Sequence, residues 1–412
     1  MTSKRLGIGI VGSGFVARFH IQSLVSVRDA DVVAITSPTR EHAEEAAQLA
    51  KSLSVGSPQV YASVGELVSD PAVDAIWICS PNDTRLPVVE EIVDRIDRGA
   101  EIVGIACEKP LARTVAEAQR MLALIERTPV LHGYLENQVF TPSLVRGKEI
   151  LWKRAAPIAG RPYLARAAEE HSGPHTPWFW SGKQQGGGVL NDMLCHSYEA
   201  GRYLLTGPDE PRDALTVTDV SAQIASLKWT RKEYAEALRE EMGETVDYGV
   251  APAEDFARAT VRLQAPEGVQ VMVEATTSWC FVGPGLRLRM ELLGPEYSMQ
   301  VDTLNSELQV FLSRRVTGSQ GEDLVEKQNA EQGLMPVVPD EAATYGYVAE
   351  NRHMVQAFLS GRQPDETWAD GLAVTTVLMA CYLSAEQGRV VRFPEPELEN
   401  FVPAVAQGTW RP

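Results

Sequence analysis

The stretch GGGVLNDMLCH, from Gly186 to His196, sets a carboxylate four residues ahead of an imidazole, behind three glycines. On a helix, residues four apart share a face, so Asp192 and His196 project together. A carboxylate beside an imidazole orients it and holds a useful protonation state, as general acid-base chemistry requires. Lys109, in ACEKPLA, is a second candidate: its ammonium can donate a hydrogen bond to a reacting oxygen and lower the cost of alkoxide formation. The loop HSGPHTPWFW supplies His171, His175, Trp178, Phe179 and Trp180. These residues either form an aromatic wall for a sugar ring or a glycoside's aglycone, with His175, Trp178 and Trp180 in contact with it, or pin the loop to the core. His171 and His175 lack a third ligand at convincing spacing, so no metal is expected.

These residues need a frame, and the first third of the chain supplies one. A short apolar strand, Leu6 to Val11, runs into GSGFVA, which places Gly12, Gly14 and Ala17 in the pattern GxGxxA at a strand-helix junction. Glycines there let the backbone approach a pyrophosphate, and the helix amino terminus offers free N–H groups and partial positive charge. Gly12, Ser13, Gly14, Phe15 and Val16 are therefore cofactor candidates. Strand and helix then alternate through DVVAITS, a helix beginning near Pro38, VDAIWICSP, LPVVEEIVDRIDRGA, EIVGIACEKP and TVAEAQRMLALIE. Strands apolar throughout, alternating with helices, imply a parallel sheet covered on both faces.

Ligands of such sheets bind at the carboxyl ends of the strands. Glu108 and Lys109 lie at one such end, Ser80, Pro81 and Asn82 at another, and Ser37, Thr39 and Arg40 follow the second strand. An NAD site usually carries an acid at this last position. Its replacement by TSPTR removes repulsion against a phosphate and favours NADP, with NAD as the alternative.

After about Tyr134 the texture changes. ATVRLQ, VQVMVEATTSW, LRLRMELLG and SELQVFLSRR alternate polar with apolar residues, as an antiparallel sheet with one covered face does. A charged interval over 228–249 reads as a surface helix with a loop. Two late helices follow, and the proline-rich tail reads as an extended arm on the protein or on a neighbouring subunit. The expected division is 1–134, a dinucleotide-binding domain, and 135–412, an α+β substrate-binding and oligomerisation domain.

At 412 residues the chain is too long for one ordinary core. Its net charge of -17 argues against nucleic-acid or anionic-membrane partners. Five scattered cysteines without paired spacing suggest a reducing compartment. With no signal-peptide pattern and no run of about twenty uninterrupted apolar residues, a cytoplasmic protein without a membrane span is expected.

Taken with ICSPN, EKPLA, GGGVLNDMLCH and the late AENRHMVQAFLSGRQP and DGLAVTTVLMACYLSAEQGRVV, the chain resembles the Gfo/Idh/MocA family of oxidoreductases over most of its length. The resemblance implies an α/β Rossmann domain followed by an α+β domain with a large, mainly antiparallel open sheet, assembled as a homodimer or homotetramer. It also implies that Lys109 and the aspartate-histidine pair meet in a cleft. There Lys109 would contact the reacting hydroxyl, Asp192 would bind substrate or support the acid-base group, and His196 would be the general base. The expected reaction is NAD(P)-dependent hydride transfer from a ring hydroxyl of a sugar, cyclitol or sugar derivative. The family also reaches glycosidases that use NAD in a closed redox cycle, a second expectation. The chain departs from the family pattern at Leu194, where glycine is common, at Glu199, where aspartate is common, and at Asn137 and Gln138, near which an arginine is frequent.

Overall fold

The computed structural model describes residues 5–243, 245–305, 308–312, 326–327 and 333–412. Its chain divides into two units, Met1–Pro142 with Tyr345–Thr375, and Ser143–Thr344 with Thr376–Pro412.

In the first unit, strand and helix alternate as β1 (Leu6–Val11), α1 (Phe15–Ser23), β2 (Ala30–Thr36), α2 (Arg40–Ser52), β3 (Gly56–Tyr61), α3 (Val64–Val68), β4 (Ala75–Ile78), α4 (Arg85–Asp97), β5 (Gly104–Glu108), α5 (Val115–Ile125) and β6 (Leu131–Leu135). The sheet order is β3-β2-β1-β4-β5-β6, with every pair parallel. β1, β4 and β5 are buried along their whole length, which is why their sequences are continuous apolar runs. The strand order reverses between β1 and β4, so the carboxyl ends of these two strands flank the crevice where doubly wound sheets take ligands.

β3 and β6 are not apparent from local sequence. β3 carries Gly56 and Pro58 and is an edge strand, the place where a sheet tolerates proline. β6 is short and interrupted by His132 and Gly133.

The first unit also extends past residue 134 and recovers a late helix, Tyr347–Leu359, expected with the second domain. Two glycines admit it. A Cβ at Gly104 of β5 would lie 2.5 Å from the Phe358 ring, and one at Gly133 of β6 would lie 2.5 Å from the Met354 sulfur. A local pattern specifies a helix but not the sheet it returns to.

The second unit is built on a seven-stranded sheet of β7 (Leu164–Glu170), β8 (Thr216–Ala225), β9 (Phe256–Gln264), β10 (Gln270–Ser278), β11 (Arg287–Gly294), β12 (Tyr297–Asp302) and, after the separate hairpin β13 (Leu308–Leu312) and β14 (Gly333–Val337), β15 (Val391–Arg392). Its order is β12-β11-β7-β10-β9-β8-β15, antiparallel except where β7 and β10 run parallel. Buried residues alternate along β9, β10 and β11, so one face is covered. The helix Cys195–Leu205 lies against β7 and β10, with Gly201 close to Val273. The remainder of the SELQVFLSRR stretch lies outside the described residues.

The charged interval forms the helix Lys232–Met242. The tail from Phe393 is less extended than expected: Pro396–Glu399 and Ala404–Gln407 make helical turns, and Val405 packs close to Gly182. The helix Trp368–Gln387 is long and apolar enough to cross a membrane by composition, but 72% of its most apolar window is buried inside the protein. Apolar residues all round the helix are what a core helix requires.

Candidate active site

The glycine motif occupies the turn between β1 and α1. Gly12 has a φ of 99°, and a Cβ there would lie 2.8 Å from the Cys79 carbonyl, so the left-handed turn and the close passage of the β4 end both require glycine. At Gly14, the N-cap of α1, a Cβ would meet nothing within 4 Å, so the space before the helix is open. No side chain caps α1 and its first turn has no acid, among the described residues. The first-turn N–H groups can therefore receive an anion, and these residues fit a dinucleotide pyrophosphate. Ser13 is buried beside them, while Phe15 is 43% exposed and Val16 is half-buried.

At the end of β4, Ser80 and Asn82 are buried and Pro81 is half-buried; Ser80 Oγ accepts from the Thr84 hydroxyl at 2.9 Å. Beyond β2, Ser37 is half-buried and Thr39 and Arg40 are exposed. Arg40 Nε donates to Glu44 Oε1 at 2.8 Å, one helical turn on.

The loop bearing Lys109 rests on a residue that sequence reading missed. Arg85, 3% exposed, donates to the carbonyls of Ser80 (3.1 Å), Glu108 (2.5 Å), Lys109 (3.2 Å) and Pro110. One guanidinium thus ties the ends of β4 and β5 together, using the fixed fork of donors that lysine lacks. An arginine three residues after Ser80-Pro81-Asn82, opening a helix, was the available signal. Lys109 itself is half-buried on this support.

Glu108, expected among the cofactor contacts, turns inward. It is 4% exposed; Oε1 lies 2.8 Å from His20 Nε2, and Oε2 accepts the Lys109 N–H at 3.0 Å. Burial opposes its charge, but the bond from His20, with Lys109 and Arg85 nearby, outweighs that and holds the carboxyl below its usual range. Asn351 completes the network, donating to His20 Nδ1 at 2.9 Å and accepting from Trp77 Nε1 at 2.8 Å. With Nδ1 accepting, Nε2 is the donor to Glu108, an assignment that follows from the network. Glu108 therefore braces the backbone under Lys109.

In the second unit, Asp192 and His196 sit on one continuous helical stretch. It opens with a π-helical turn, Leu190–Leu194, and continues as Cys195–Leu205, so the expected helix begins more widely wound. Such turns are common at functional sites. Both side chains are buried, at 5% and 4% exposure. Trp279 Nε1 donates to Asp192 Oδ2 at 3.2 Å and orients the carboxylate, a contact 87 positions away that no local motif announces. Of the family departures, Glu199 is fully buried and paired with Arg202 at 2.7 and 2.8 Å, and Leu194 is in the core. In the first unit, Asn137 donates to the Tyr345 carbonyl at 2.7 Å and Gln138 is buried.

The aromatic loop divides. Trp180 is 2% exposed, packs 5.0 Å from both Trp229 and Trp279, and donates to the Pro174 carbonyl at 2.9 Å. It pins the loop and is not part of an open wall. Trp178 and Phe179 are half-buried with ring centroids 3.8 Å apart, and His175 is exposed. His171 accepts the Gly173 N–H at 3.0 Å and is buried.

Residues 6–134 match the model of the oxidoreductase family with an NAD-binding Rossmann fold, and residues 156–300 match the Gfo/Idh/MocA C-terminal domain. The myo-inositol 2-dehydrogenase of Thermotoga maritima is 26% identical over 198 residues, which span 48% of this chain and 54% of that one. The D-apiose dehydrogenase of Paraburkholderia graminis is 25% identical over 98% of this chain and 93% of its own length. Among solved structures, GenD2 from gentamicin A biosynthesis in complex with NAD superposes with a TM-score of 0.75 at 24% identity, covering 96% of this chain and 98% of that one, which shows a shared fold. The two family models between them account for most of the chain, and the protein belongs to the Gfo/Idh/MocA family of oxidoreductases.

Proposed function

We propose that the protein is a dehydrogenase that oxidises a ring hydroxyl of a sugar, cyclitol or sugar derivative, using NADP or NAD. One observation carries this reading: Asp192 and His196 lie on a single buried helical stretch, with Trp279 already holding the Asp192 carboxylate. A bound nicotinamide would supply the hydride acceptor. His196 would take the hydroxyl proton as the hydroxyl is oxidised, and Asp192 would hold the substrate or orient the imidazole. Lys109 would donate to the reacting oxygen and stabilise the charge that develops there. Trp178, Phe179 and His175 would border the sugar. The relatives described above are dehydrogenases, which favours net oxidation over redox-cycling glycoside cleavage.

The test is an absorbance assay at the reduced-nicotinamide band, with NADP and NAD run separately against sugars, cyclitols and glycosides while sugar release is followed. Reduced cofactor should accumulate with a free sugar or cyclitol. Glycoside cleavage without net reduction would sink the reading.

For the cofactor, the TSPTR sequence after β2 offers hydroxyls and a guanidinium but no carboxylate, which supports NADP. Arg40 is exposed and shared with Glu44, so its effect should be modest. Arg40→Ala should raise KM for NADP about tenfold and leave KM for NAD unchanged. Equal changes for both cofactors would remove Arg40 from phosphate recognition.

We place the protein in the cytoplasm, supported by five free cysteines, as a homodimer or homotetramer without nucleic-acid or membrane partners.

A further inference from the structure

Two of the three glycines ahead of Asp192, Gly187 and Gly188, are explained by the surroundings of a buried acid that the proposed chemistry does not use. Glu254 is fully buried, and its Oε1 accepts from the backbone N–H of Gly188 at 2.9 Å, from that of Leu190 at 3.1 Å and from the Tyr382 hydroxyl at 2.6 Å. Its own carbonyl accepts the Val189 N–H at 3.0 Å. One residue thus takes three consecutive amides of the loop, and the Tyr382 oxygen is a second acceptor for Gly188 at 3.1 Å. The approach is too close for any side chain: a Cβ at Gly187 would lie 1.9 Å from the Tyr382 oxygen, and one at Gly188 would lie 2.4 Å from the Glu254 carbonyl. The Asp192 N–H then bonds back to the Gly188 carbonyl at 3.1 Å, four residues earlier, which ties the gripped loop to the entry of the helical stretch.

We propose that Glu254 and Tyr382 are positioning residues for Asp192 and His196, gripping the glycine loop by its amides and so setting where the catalytic helical turn begins. The catalytic half of this statement rests on the dehydrogenase reading above; the grip itself does not.

Burial raises the Glu254 carboxyl to about 7, against the bonds from Tyr382 and the loop amides. The titratable groups around it are Tyr382 and Tyr248, with Asp255 next in the chain, and the first two are themselves raised by burial and by Glu254. The folded protein therefore holds a proton on Glu254 that the unfolded chain, near 4.5, has lost. Stability falls as pH rises from about 4.5 to about 7 and is then level with respect to this group. Glutamine mimics the protonated acid, keeping the acceptor oxygen and losing the titration.

The experiment compares Glu254→Gln, Glu254→Leu and Tyr382→Phe in the full chain, by hydrogen exchange of the 186–194 backbone and by steady-state kinetics. Glu254→Leu should speed exchange of that segment at least about tenfold and lower kcat about 100-fold, with cofactor affinity unchanged. Glu254→Gln should keep both within about threefold and should lack the fall in stability between about pH 4.5 and 7. Should Glu254→Leu not fold, Tyr382→Phe carries the same test with smaller changes in both readouts. Unchanged exchange at 186–194 in Glu254→Leu and Tyr382→Phe, or equal damage from Gln and Leu, would overturn the proposal. Parental protein that turns over nothing in the panel counts against the dehydrogenase reading alone, because exchange still decides the grip.

Discussion

Lys109→Ala lowers kcat about 1000-fold, on the order of 4 kcal/mol of transition-state stabilisation, and leaves NAD or NADP affinity within about threefold of the parent. The first number follows from the role proposed for Lys109, a charged donor to an oxygen that would gain negative charge in the transition state. The second follows from the proposed pyrophosphate site, the glycine turn before α1, which the lysine side chain does not build. The loop should keep its place, since Arg85 holds it by the carbonyls of Glu108, Lys109 and Pro110. Initial rates and a cofactor fluorescence titration on the same preparation check both numbers. Turnover near the parental rate, or cofactor affinity lost in step with turnover, would remove Lys109 from the reacting oxygen.

His196→Ala lowers kcat by about 100- to 10,000-fold, the range spanned by a positioned general base. The diagnostic is the shape of the pH profile. If His196 accepts the proton, the acidic limb of kcat/KM belongs to its titration and disappears in the variant, leaving a low, flat rate. Persistence of that limb would assign it to another group and leave His196 as a packing residue. Asp192 supplies an internal control: Asp192→Asn keeps the shape and the acceptor for Trp279 but removes the charge, so the limb should shift without vanishing.

The alternating first unit was legible because parallel strands buried on both faces must be apolar throughout, and β1, β4 and β5 are. β3 escaped because an edge strand tolerates Gly56 and Pro58. Lys109, Asp192 and His196 stood out because each lies in a short motif at a strand or helix end. Their supports did not. Arg85 works through backbone carbonyls, which carry no sequence signature, and Asn351 reaches His20 across 331 positions. Glu108 illustrates the limit: strand-end position alone does not tell an outward side chain from one turned to a buried histidine. Trp180 likewise belongs to its loop's core because Trp229 and Trp279, far along the chain, pack against it.

The return of the helix Tyr347–Leu359 to the first unit bears on how the protein is made. The nucleotide-binding half is an outer bracket around most of the other half, with about 200 residues between its two pieces. During synthesis at roughly 5–20 residues per second, β1 to β6 leave the ribosome on the order of 10–40 s before the helix that supplies Asn351 to His20 and Phe358 to β5. Through that interval His20 and Glu108 lack Asn351, and the hydrophobic floor at Gly104 is bare. The cofactor-binding half is therefore the first to be begun, yet it is completed only after residues 143–344 of the other half have been made, and cutting the gene after residue 142 would strip Met354, Val355 and Phe358 from its hydrophobic core.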